Sequence, residues 1–189
     1  MGRYQAGIRT EGRIIEATRE LLSEEGLEGA TLKAICARAG VQAGSFYNLF
    51  ASKEEAVLRV VAEAITAVDP HPEGQGPDTV AELVSAYSAF VIDQPVVARI
   101  YLQIAVSGGL SDSDLTKRFL RHHERRLIRF ADAIGRENPT RPIDEVRTEA
   151  ELLLATLNGL AFHWMLQPSF DFAGHAARLV GTRGTDRGG

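Results

Sequence analysis

Cysteine is almost absent: Cys36 is the single thiol in 189 residues. That excludes an internal disulfide framework and any cysteine-built zinc site, and it fits a reducing compartment. Long apolar runs are missing too. The most apolar stretch, Leu152–Leu166, is interrupted by Thr156, Asn158 and His163 and falls short of the roughly 20 residues a bilayer requires. No charged-then-apolar leader opens the chain, so neither a signal peptide nor a membrane partner is expected. Catalytic signatures are equally scarce, with no H-E-x-x-H, P-loop, G-x-S-x-G, or G-x-G-x-x-G after a strand. His122 and His123 are adjacent and point about 100° apart on a helix, unlike an i, i+4 pair that shares a metal. The expectation is a cytoplasmic protein with no catalytic residues, no metal site and no cofactor.

What is present is a globular composition, 44% hydrophobic and 24% charged, sufficient for one compact domain or a small domain feeding a larger one. The net charge of −4 argues against nucleic acid only on average. Residues 1–10 hold Arg3 and Arg9 and no acid, and residues 29–53 hold Lys33, Arg38 and Lys53, again with no acid. Between them lie Glu11, Glu16, Glu20, Glu24, Glu25 and Glu28. Charges beyond about 8–10 Å are screened, so a locally acid-free face can attract anions on an acidic protein.

Periodicity predicts an all-α fold of about nine helices. Ile14, Ile15, Ala17, Thr18, Leu21 and Leu22 share one helical face, and Gly26 ends that helix. Thr31 caps a short helix that buries Leu32, Ile35, Cys36 and Ala39 until Gly40 breaks it. A third short helix, 42–48, turns Phe46, Leu49 and Phe50 inward. Ser52 and Glu55 read as a capping box opening a long helix towards Val68. The Pro- and Gly-rich stretch 69–77 is the best linker. Thr79 and Glu82 open the next helix, and Pro95 starts one over 96–106 expected to be buried nearly all round. Further helices are expected over about 114–134, then from an Asp144 cap to Gln167, and over about 172–180. The domain boundaries read as 1–52, 53–180 and a flexible tail at 181–189.

Two short helices joined by a tight glycine turn, after a longer support helix, form a helix-turn-helix. Leu32, Ile35, Phe46 and Phe50 fix the angle, so the second short helix can enter a major groove as a rigid unit. It presents Gly44, Ser45, Tyr47 and Asn48, which are small or hydrogen-bonding and none of them acidic. Ser45 and Asn48 can bond phosphate oxygens or base edges, Gly44 permits close backbone approach, and Lys53 adds charge at a helix start.

The run from Thr31 to Glu55, with the amphipathic helix before it, resembles the TetR family of bacterial transcriptional regulators. The resemblance covers roughly residues 8–60. It implies an N-terminal three-helix domain for operator DNA and a larger helical domain for a small-molecule ligand and for dimerisation. It further implies backbone and base contacts at Thr31 and Lys33, base reading by Gln42, Ala43, Gly44 and Ser45, phosphate contacts at Tyr47 and Asn48, and anchoring by Lys53. Asn48-Leu49 and Cys36 depart from the family's usual residues.

In the larger domain, His123 falls near the centre of the apolar stripe of Leu115, Phe119, Leu127, Phe130 and Ile134, where a polar group could orient a ligand. A core histidine bonded within its own protein would read the same way. Phe90, Tyr101, Phe119, Asn158 and Trp164 are comparable ligand-binding candidates. The helix around Leu152–Leu166 is apolar on nearly every face, and Ala155 and Gly159, four apart, would admit a second helix closely, which marks a homodimer surface. The reading is a ligand-responsive regulator, a repressor released from a pseudo-palindromic operator by a largely apolar small molecule. Its rival is a helical small-molecule-binding protein without operator-specific DNA binding; an enzyme using His122 or His123 as base ranks below both.

Overall fold

A computed structural model describes residues 2–69, 77–107 and 113–185, and among these all regular structure is α-helical. The described helices are α1 (Gly2–Gly29), α2 (Leu32–Ala39), α3 (Ala43–Tyr47), α4 (Lys53–Ala67), α5 (Val80–Asp93), α6 (Pro95–Ser107), α7 (Ser113–Glu137), α8 (Ile143–Leu166) and α9 (Phe172–Thr185). They group into two compact units. The first takes the described residues of Met1–Ala64 and Val96–Leu115; the second takes those of Ile65–Pro95 and Thr116–Gly189. The division therefore falls inside α4, and α6 packs with the first unit.

In the first unit the amphipathic face of α1 is fully used: Ile14, Ile15, Ala17, Thr18, Leu21 and Leu22 are all buried. Thr18 is tolerated there because its hydroxyl donates to the Ile14 carbonyl at 2.7 Å. At Gly26 the backbone leaves the helix (φ 73°, ψ −170°), a conformation essentially restricted to glycine. Thr31 caps α2 by accepting from the Ala34 N–H at 3.1 Å. Gly40 closes α2 in the left-handed region (φ 63°, ψ 40°), and the Val41 N–H reaches back to the Cys36 carbonyl at 3.0 Å. Ion pairs Arg19–Glu63 (2.9 Å) and Arg59–Glu11 (3.7 Å) join α1 to α4.

In the second unit α5, α8 and α9 pack together. Val80, Leu83, Val84, Tyr87 and Phe90 of α5 are buried, as are Leu153, Leu154, Leu157 and Ala161 of α8 and Phe172 and Ala176 of α9. Thr79 and Glu82 form the expected capping box. Arg129 of α7 holds both Asp69 and Asp78, which stand before and after 70–76.

Several expectations need correction. Helix α6 is buried on one side only: Val97, Ala98, Ile100 and Tyr101 are buried, whereas Val96, Arg99 and Gln103 are exposed. Asp144 does not cap α8; Pro142 stands at the cap and Asp144 sits in the first turn, where its charge still favours the helix dipole. Helix α9 continues to Thr185, five residues into the expected tail, whose last four residues lie outside the described ones. So do most of the linker, 70–76, and the Gly108-Gly109 stop. Among the described residues, no single helix is long and apolar enough to cross a membrane.

Candidate functional site

Helix α3 has five residues, too few to be helical by itself, so tertiary packing has to hold it. Phe46, with no exposed surface, and Phe50 supply that anchor, with ring centroids 5.5 Å apart. Between and beside them Gln42, Ala43, Gly44, Ser45, Tyr47 and Asn48 are all exposed. Gln42 is the N-cap residue but makes no side-chain capping bond. Tyr47 stands 55% exposed, edge-on to Phe46. A Cβ built on Gly44 would meet nothing within 4 Å, so the protein's own packing does not demand glycine there. Thr31 and Lys33 are exposed on the same helix pair. Lys53 is half-buried, and its Nζ donates to the Leu27 carbonyl at 3.4 Å, which ties the start of α4 to the end of α1.

The acid-free window is less basic than its sequence. Arg38 is paired with Glu24 at 2.8 Å and Glu20 at 3.1 Å. Its hydrogen bond holds the Glu24 carboxyl below the usual carboxylate range. The acidic side of α1 thus fastens α2 and leaves Lys33 and Lys53 as the cations of this face.

In the second unit a cavity of about 50 Å³ is lined by apolar side chains that include Ile65, Leu83, Phe90 and Phe130, with Tyr87, Asp69, Arg126 and Arg129 as its polar wall. The Arg126 guanidinium lies 5.0 Å from the centre of the Tyr87 ring. The Tyr87 hydroxyl donates to Asn158 Oδ1 at 2.8 Å. Arg129 bonds Asp69 through Nη1 (2.5 Å) and Nη2 (2.8 Å), and Asp78 through Nε (2.8 Å) and Nη2 (2.9 Å). Those carboxylates keep Arg129 more firmly protonated than an ordinary arginine.

Of the six ligand-binding candidates, Phe90 is the one among the described lining residues. Asn158 is the hydrogen-bond partner of Tyr87. Tyr101 is buried in the first unit. Phe119, His123 and Trp164 are half-buried, and the Trp164 ring lies 6.3 Å from Phe172. Tyr87, Arg126, Arg129 and Asp69 escaped the sequence reading. A signal for Arg126 was available, since it stands seven residues after Phe119 and four before Phe130, inside the stripe that drew attention to His123.

Helix α8 leaves a second face open. Leu152 (64%), Phe162 (56%) and Leu166 (69%) are exposed, and Ala155 and Gly159 lie exposed between them at helical spacing.

Residues 14–60 match the family described as bacterial regulatory proteins, tetR family. Over 54 residues the chain is 37% identical to the HTH-type transcriptional regulator UidR of Escherichia coli K12, a match that spans 29% of this chain and 28% of that relative. The likeness of the whole chain is one of fold. FadR of Bacillus subtilis, in complex with stearoyl-CoA, superposes with a TM-score of 0.66 at 17% identity, over 87% of this chain and 92% of that one. The SmeT–triclosan complex does so at 0.65 and 22%, over 90% and 88%; SmeT is the repressor of a Stenotrophomonas maltophilia multidrug efflux pump. Residues 14–60 thus carry a helix-turn-helix sequence of the tetR-family type, and the chain as a whole shares the all-helical fold of those solved structures.

Proposed function

We propose that the protein is a cytoplasmic, ligand-responsive transcriptional repressor that binds a pseudo-palindromic operator as a homodimer. The observation that carries this reading is the exposed, acid-free run Gln42–Asn48 on a five-residue helix locked from behind by Phe46 and Phe50. A rigid helix with small hydrogen-bonding residues outward suits base edges and phosphates in a major groove. Gln42, Ala43, Gly44 and Ser45 read bases, Tyr47 and Asn48 bind phosphates, and Thr31, Lys33 and Lys53 position the head. The open contour at Gly44 supports close approach by the DNA backbone.

Residues 1–52 serve as the reading head and 53–180 as the ligand-binding and dimerisation region. The exposed apolar face of α8, with Ala155 and Gly159 at its centre, supports pairing with a second copy. The cavity beside Phe90 supports a small, largely apolar effector. SmeT and FadR, proteins of the same fold, are known with triclosan and stearoyl-CoA respectively. Ligand binding acts on DNA by favouring a form with differently spaced heads, because two heads must meet grooves about 34–36 Å apart or a multiple of that. Selection of duplexes from a random pool tests the proposal. A two-fold symmetric sequence should be enriched; enrichment of asymmetric sequence, or of none, would overturn it.

A further inference from the structure

The cavity beside Phe90 is too small for the role just given it. It measures about 50 Å³, whereas sites for small organic ligands run to about 300–1,000 Å³. Some part of the wall has to move. Leu83, Tyr87 and Phe90 are fixed in α5, and Arg126, Arg129 and Phe130 in the middle of α7. Val68 and Asp69 are different, because α4 ends at Ala67 and both stand beyond it, with Asp69 held against the wall by the Arg129 fork.

We infer that the effector is an apolar carboxylic acid whose carboxylate takes the place of Asp69 on Arg129, and that this exchange opens the cavity. The inference rests on the reading of this cavity as the effector site. Three observations favour an acid over other ligands. Arg129 offers Asp69 two parallel N–H donors, the geometry that suits any carboxylate. Asp78 keeps its own bonds to Nε and Nη2 during the exchange, so the guanidinium is never left without a counter-charge. Asp69 leaves for water as the incoming carboxylate arrives, and the charge at the site is unchanged. A neutral ligand has nothing with which to displace Asp69 and meets the cavity at its small size. An amine could pair with Asp69 only by drawing it off the Arg129 fork, which would leave its own charge between the Arg126 and Arg129 guanidiniums. The apolar body of the acid would lie against Leu83, Phe90 and Phe130. Release of Asp69 also frees the end of α4, the helix that begins at Lys53 beside the DNA-reading face.

Calorimetric titration of the full chain with octanoate, octanamide and octylamine provides the test. Octanoate should bind about tenfold or more tightly than the other two. Asp69→Asn weakens the internal competitor and should tighten octanoate binding several-fold, an effect that loss of a merely structural ion pair would not produce. Arg129→Gln should bring octanoate down to the level of the amide. Equal binding of acid and amide overturns the inference, as does no binding of millimolar octanoate, or unchanged or weaker octanoate binding by the Asp69→Asn chain. DNA titration of the same preparations separates the two levels. Acid binding in the expected pattern without selective DNA binding refutes the regulator and keeps the exchange; selective DNA binding with no preference for the acid does the reverse.

Discussion

Replacing Phe46 by alanine probes how the proposed DNA-reading face is built without replacing any residue proposed to contact DNA. Phe46 has no exposed surface, lies tilted against Phe50 at 5.5 Å and meets Tyr47 edge-on at 5.8 Å. A buried phenyl ring removes roughly 150–200 Å² from water, worth about 4 kcal/mol at about 25 cal/mol per Å². Phe→Ala in packed cores costs about 3–5 kcal/mol, so the area argument and mutational experience agree. That loss falls on a helix of five residues that has no stability of its own. The expected result is a lowered urea midpoint together with a large loss of DNA affinity, even under conditions where α5, α8 and α9 keep their helical signal. Denaturation followed by circular dichroism and DNA binding followed by fluorescence anisotropy measure the two effects. A destabilisation below about 1 kcal/mol with unchanged DNA affinity would refute the argument that Phe46 holds the reading helix in place.

Three other outcomes follow from the same geometry. Tyr47→Phe and Lys53→Ala should weaken DNA binding across sequences, and Lys53→Ala should also reduce the salt slope by about one unit; unchanged affinity in both variants would remove these residues from the interface. Phe162→Asp, which puts a charge on the exposed face of α8, should convert dimers to monomers in sedimentation equilibrium, and a dimer of unchanged affinity would move the interface elsewhere. Burial, assisted by the charges of Arg125 and Arg121 at His122 and of Arg126 at His123, holds both imidazoles below their ordinary pKa. The unfolded chain therefore takes up protons first as pH falls through about 6.5, and stability should decline from there towards the lowered folded values. His123→Gln should flatten that decline; an equally steep urea-midpoint profile in the variant would show that His123 does not contribute.

Local signals made much of this molecule legible. The buried face of α1, the Thr31 cap, the Gly40 stop and the Thr79–Glu82 capping box each depend on residues within a turn or two of one another, and each is found where the periodicity placed it. The cavity was not legible in that way. Arg129 and Asp69 lie 60 positions apart and Tyr87 and Asn158 lie 71 apart, so no spacing rule brings them together. His123 attracted attention because a histidine on an apolar stripe is conspicuous, yet Arg126 on the same stripe lines the cavity. A guanidinium reads as solvated until its aromatic partner is seen. The pairing of Arg38 is hidden from the sequence for a related reason. Its neutralisation by Glu20 and Glu24 comes from packing of α2 on α1, which the acid-free window around Arg38 could not show. The apolar surplus of α8 was visible in sequence, and the structure shows that the surplus is one exposed face while Leu153, Leu154, Leu157 and Ala161 fill the core.

The proposed function stands or falls on sequence-selective DNA binding by the exposed face of α3. Fluorescence-anisotropy titration of DNA from upstream of the protein's own gene, against scrambled DNA at two salt concentrations, tests it most directly. An operator-binding regulator should keep its preference for the upstream sequence at the higher salt, where contacts to bases persist while counterion release weakens. Weak, equal binding to both duplexes that collapses with salt would contradict the claim and leave only the attraction of Lys33 and Lys53 for phosphate.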